Sequence, residues 1–100
     1  MIIIANVSFP PESSKEIAKR FLEAPQIPEY LTRRGPYVSS NRSNGVCILT
    51  LYELENSKLA EGMEFMGNFY ATYFGVPGFM YEIKPHYEIL EGLKMIGMEG

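Results

Sequence analysis

One α+β domain, built from two successive strand–helix–strand units and closed by a short helix, is what this chain predicts. Three observations carry that expectation. The chain has 100 residues, 46% of them apolar and 13% aromatic, which suits an ordered chain with one core. A domain of this size buries somewhat over ~60% of its unfolded surface, enough for a single core and not for two. Apolar runs with strand character also alternate with apolar stripes at helical spacing. The expected organisation is a single domain over 1–100, with its core at 2–88 and a C-terminal helix and tail at 89–100.

The first strand is expected over 2–9, where Ile2, Ile3, Ile4, Val7 and Phe9 supply β-branched and aromatic side chains. No basic residue precedes this run and Asn6 breaks it, so it reads as a strand and not as a secretory leader. Pro10 and Pro11 stop it, since neither has an N–H for the ladder. Ser13 with Glu16 fits a capping box for a helix over 13–24, whose apolar stripe is Ile17, Ala18, Phe21 and Leu22. Pro25 ends it. The stretch 25–36 is broken by Pro25, Pro28, Gly35 and Pro36, yet 29–34 has the residues for one or two helical turns.

A short strand is expected at 37–40 and a stronger one at 46–54. The Asn44-Gly45 pair between them signals a type I′ hairpin turn. Asn56 is the expected cap of a second helix, with Leu59, Met63, Met66, Tyr70 and Tyr73 on its stripe and Phe69 and Phe74 widening it. Gly62 and Gly67 each cost that helix about 1 kcal/mol relative to Ala, which suggests close approach to the sheet. Gly75 and Pro77 end it. A last strand follows over 79–87. Ile89, Leu90, Leu93 and Ile96 then mark a short amphipathic helix, with a tail from Gly97.

That element order resembles a ferredoxin-like βαββαβ sandwich with both helices on one face. Its strands do not alternate cleanly between apolar and polar, as a half-covered sheet should. Val46, Ile48, Tyr52 and Leu54 face one way with Thr50 among them, while Cys47, Leu49 and Leu51 face the other. In the first strand, Ile2 and Ile4 oppose Ile3, Ala5, Val7 and Phe9. An apolar second face is seldom left open in a monomer, so a homodimer packed sheet to sheet is expected; the short C-terminal helix folding across that face is the competing arrangement. On these features the chain resembles the dimeric α/β barrel superfamily. The resemblance implies a cleft between sheet and helices that takes small, often aromatic or hydrophobic molecules. That superfamily includes cofactor-independent monooxygenases and haem-handling proteins, but no histidine here falls on a position matching their haem ligand.

Nine basic residues stand against twelve acids, every acid a Glu, for a net charge of -3. This balance gives no reason to expect a nucleic-acid partner. No window approaches the ~20 apolar residues of a membrane helix, and a single free thiol, Cys47, suits the cytoplasm. No phosphate-cradling glycine loop, zinc-type cluster or Ser-His-Asp triad is spelled out, so no cofactor and no metal are expected.

Candidate site residues remain. His86 is the only histidine, the one side chain whose ordinary pKa lies near neutrality. Asn6 is polar within an apolar strand and needs a partner if buried, with Tyr52 or Tyr81 available. His86, Asn6 and Tyr52 form the candidate catalytic set, with His86 as base. Arg33, Arg34 and Arg42 concentrate positive charge, and a guanidinium fork suits a carboxylate or phosphate. With Tyr37 and Tyr81 they form the candidate ligand-binding set. The leading functional expectation is binding of a small, partly aromatic or anionic molecule. A cofactor-independent monooxygenase- or isomerase-like enzyme is one alternative, and an interaction dimer without a pocket is another.

Overall fold

The computed structural model describes residues 1–98; Glu99 and Gly100, the end of the expected tail, lie outside the described residues. β1 (Ile2–Phe9) passes through a 3-10 turn at Pro11–Ser13 into α1 (Ser14–Leu22), followed by β2 (Thr32–Asn41) and β3 (Gly45–Glu53). A second 3-10 turn at Asn56–Lys58 opens α2 (Leu59–Ala71), and β4 (Met80–His86) and α3 (Ile89–Met95) complete the chain. The strands lie in the order β2-β3-β1-β4, and every neighbouring pair is antiparallel. Element order and strand order resemble the ferredoxin-like arrangement.

The pleat sorts the side chains as the sequence pattern suggests. Ile3, Ala5, Val7 and Phe9 of β1 are buried beneath the helices, beside Thr50 and Tyr52 of β3 and Leu54 just past its end, with Ile17, Met66, Phe69 and Tyr70 packing onto them. α2 comes closest at Gly62, where an added Cβ would lie 2.7 Å from Leu54 Cδ1. Gly67 has open space around it, so the expectation of close approach holds at one of the two glycines.

The local devices differ from the sequence reading in four places. Ser13 and Glu16 do not form a capping box: the Ser13 hydroxyl donates to the Pro77 carbonyl at 2.6 Å, and Glu16 accepts from Arg20 Nε at 3.0 Å. Asn56 donates to Glu91 of α3 at 2.6 Å instead of capping α2. A capping box does occur at the start of α3, between Glu88 and Glu91. The hairpin is not type I′, because Asn44 does not take a positive φ; Asn41 pairs with Gly45 across a three-residue connection, and Gly45 alone is left-handed, at φ 75°. Its added Cβ would meet the Phe9 carbonyl oxygen at 2.7 Å, so glycine is required there.

The fourth difference is the largest. Residues 32–36, read as a break or a helical turn, are the first half of β2. The strand continues through Gly35 and Pro36 by a bulge: Arg34 pairs with Leu51 and Tyr37 with Leu49, leaving one extra residue on β2. Arg33 therefore sits opposite Tyr52 on the helix side, and Arg34 points to the other face.

The expected dimeric α/β barrel is corrected. The sheet is open, with β2 and β4 as two unjoined edges in a single chain, and a homodimer has no support. The face away from the helices carries the apolar residues that the strand pattern implied, and Leu49, Tyr37 and Met80 are exposed on it. Ile2, Ile4, Cys47 and Leu51 make a half-buried stripe down the two central strands. Charged pairs flank it, Arg34 of β2 with Glu53 at the end of β3 at 2.7 Å and Lys84 with Glu82 on β4 at 3.7 Å. α3 leaves Ile89, Leu90, Met95 and Ile96 exposed. Among the described residues no helix is long and apolar enough to cross a membrane.

The two α2 glycines make a paired prediction. Gly62→Ala forces the Leu54 side chain to shift and costs about 1–3 kcal/mol by overpacking. Gly67→Ala meets nothing and gains about 0.5–1 kcal/mol of helix propensity. Urea denaturation of the two variants should move the midpoint in opposite directions.

Candidate functional site

α1 is four residues shorter than α2, and it presents small side chains, Ser14 and Ala18, alongside Ile17 and Phe21. It therefore does not fill the space above β2 and β3. Between α1, the last turn of α2 and the sheet lies a cavity of about 380 Å³. Its floor is Val7 and Phe9 of β1 with Val46, Ile48, Thr50 and Tyr52 of β3; Phe69, Tyr70, Tyr73 and Phe79 form the wall toward α2. Val46 and Ile48 share the helix-side row with buried Tyr52 yet stay only half-buried, because what faces them is this space. The rim toward the edge strand is apolar as well, with Phe21 39% and Val38 68% exposed.

Most of the polar groups gather at one end. The Tyr52 and Tyr70 hydroxyls lie 3.1 Å apart within the core, and either can donate to the other. The Thr50 hydroxyl neighbours Tyr70, and the Arg33 guanidinium neighbours Tyr52. Arg33 also lies over the Phe21 ring at 5.8 Å from its centroid, a cation–π contact that steadies a solvent-exposed guanidinium. Burial raises the pKa of all three inner phenols: Tyr52 and Tyr70 are pushed up, Tyr70 strongly, and Tyr73 is pushed up to about 12. They remain neutral hydrogen-bond donors at physiological pH. Among the residues lining the cavity there is no carboxylate, imidazole or thiol, so it offers donors and no base for proton abstraction.

Arg20 of α1 holds the roof down. Its Nη1 donates to the carbonyls of Phe74 at 2.7 Å and Thr72 at 3.1 Å, just beyond the end of α2. With the Ser13–Pro77 bond, this ties both ends of α1 to the segment after α2, where packing onto the sheet is missing.

The expected catalytic set does not assemble. Tyr52 lines the cavity, but Asn6 pairs with Leu49 and Glu82 on the opposite face and is exposed, so it needs neither Tyr52 nor Tyr81 as a partner. His86 is also exposed on that face, at the far end of β4 opposite Ile2, with its Nδ1 3.0 Å from the Lys84 carbonyl oxygen. Of the candidate ligand residues, Arg33 alone lines the cavity. Arg34 and Tyr37 face the other way, and Arg42 sits exposed in the β2–β3 connection. Tyr81 stacks behind the wall, against Tyr70 at 6.0 Å and Phe79 at 5.5 Å. The residue that sequence reasoning passed over is Tyr70, which shares a stripe with core methionines. Thr50, a polar residue in an otherwise apolar row, was the available hint. No group of three or more His, Cys, Asp or Glu among the described residues could hold a metal.

Two predictions follow from this geometry. Arg20→Ala removes the tether at the end of α1; it should cost about 1–3 kcal/mol and speed amide exchange in α1 well before α2. The second concerns alkaline pH. The folded chain holds the Tyr52, Tyr70 and Tyr73 protons more tightly than the unfolded chain, whose phenols titrate near 10.0. Their contribution is therefore complete below pH ~10 and is lost as pH rises beyond it. Tyrosinate absorbance from these three should appear in one cooperative step, together with loss of near-ultraviolet dichroism.

Comparison with known proteins returns no match: no family model fits the chain, and no curated protein or solved structure is significantly similar to it.

Proposed function

We propose that this protein binds a small, largely apolar, ring-bearing molecule in the cavity beneath α1. The observation that carries the reading is the cavity itself, about 380 Å³ of space lined by seven aromatic side chains with most of its few polar groups collected at one end. Ligand sites in proteins are concave, mostly apolar and of roughly 300–1,000 Å³, with a small number of placed polar groups. Aromatic walls favour flat rings, which stack at 4.5–7 Å, over flexible chains. Donors without a base favour a binding protein over an enzyme that abstracts a proton.

Ile48 supplies the test. It faces the cavity from the middle of β3, so Ile48→Phe fills the space with a change the fold tolerates. A neutral naphthalene carboxamide should shift the methyl resonances of Val7, Ile48 and Ala18 in the parent protein. In Ile48→Phe, affinity should fall by about tenfold or more, equivalent to ~1.4 kcal/mol, with the dispersion of the spectrum retained. Absence of any methyl shift in the parent, or undiminished binding in the variant, refutes the reading.

A further inference from the structure

The cavity is directional. Along β3 it runs from Tyr52 to Val46, about 20 Å at ~3.3 Å per residue. Arg33, Thr50, Tyr52 and Tyr70 gather at the Tyr52 end. The Val46 end lies beside Phe9, its partner across the ladder, and the start of α1, whose Ser14 hydroxyl is a further polar group in the lining. A molecule filling it has a polar head at one end and an apolar body behind it.

The head group is defined by what surrounds it. Arg33 is the one cationic side chain in the lining. Among the described residues it pairs with no carboxylate, whereas its neighbour Arg34 is already paired with Glu53. A guanidinium fork matches a carboxylate in plane. The phenol pair behind it, its two hydroxyls bonded to each other, leaves one O–H free to donate and carries no charge, which suits an acceptor oxygen; the Arg33 charge disfavours an ammonium. One cation balances one negative charge, and a dianionic phosphate would leave the second uncompensated beside aromatic walls. On the reading that the cavity binds a ring-bearing molecule, we propose that its ligand is an aromatic monocarboxylate. Its carboxylate is gripped by Arg33, with the one O–H that the Tyr52–Tyr70 pair has free behind it, and its ring lies along β3 toward Phe9.

Calorimetric titration of the full chain with three probes of one shape tests this: a naphthalene carboxylate, the corresponding carboxamide, and naphthylmethylamine. The carboxylate should bind about tenfold or more tightly than the carboxamide, with the amine weakest, as expected for one charge-assisted pair. Arg33→Gln should abolish the preference for carboxylate over carboxamide. Arg33→Lys should restore only part of it, because the ammonium lacks the fork. Lys19→Gln, on the outer side of α1, removes the same net charge and should change nothing. Equal binding of carboxylate and carboxamide, or a preference that survives Arg33→Gln, overturns the head-group assignment while the cavity reading stands. Failure of all three probes to bind overturns both.

Discussion

Two helices of unequal reach cover one face of a four-stranded sheet, and the inequality shapes everything else. α2 brings Met66, Phe69 and Tyr70 down into the core, with Gly62 letting its backbone approach Leu54 and Ile3. α1 brings small residues and a single large aliphatic one over β2 and β3. Close packing is the normal condition of a protein interior, so a helix that does not reach its sheet leaves either a collapsed fold or a space. Here the space persists because α1 is tied at both ends to the segment following α2, through Ser13 and Arg20. The polar groups along its floor are satisfied among themselves, and no buried side-chain nitrogen or oxygen among the described residues is left without a partner. The cavity is thus a product of how the helices are fastened as much as of what lines it.

Much of the architecture could be read from the residues because its causes are local. Proline doublets, helical stripes and the β-branched runs of β1 and β3 act within a few positions, and they specify the order of elements. The grouping of Ile3 with Val7, and of Tyr52 with Leu54, followed from the two-residue period within each strand; that the two groups share a side follows only from the pairing of β1 with β3. β2 was only partly legible, since Gly-Pro is punctuation in a sequence, and only pairing with β3 turns it into a bulge inside a continuous strand. The closed barrel was misjudged for a related reason. The apolar second face was taken to need a partner sheet, and the period of a strand does not say whether the edges of its sheet are joined.

The site was legible residue by residue and not as an assembly. Arg33 and Tyr52 were both picked out, one for its charge and one for its phenol, without any sign that they stand opposite each other. Tyr70 looks like packing because its stripe is packing everywhere except at its hydroxyl. His86 and Asn6 drew attention by rarity and by polarity in an apolar strand. Those are properties of composition, and neither says which face of a sheet a side chain occupies relative to a cavity.

The bulge in β2 gives the tandem arginines a degeneracy. If the first half of that strand relaxed into regular pairing with β3, each residue before Gly35 would advance by one partner. Arg34 would then stand opposite Tyr52, and Arg33 opposite Glu53. Both positions would still hold a guanidinium, one beside the inner phenol and one beside the outer carboxylate. A slip that normally turns every side chain to the wrong side would here exchange like for like. The doubled residue makes that end of the cavity tolerant of a one-residue slip.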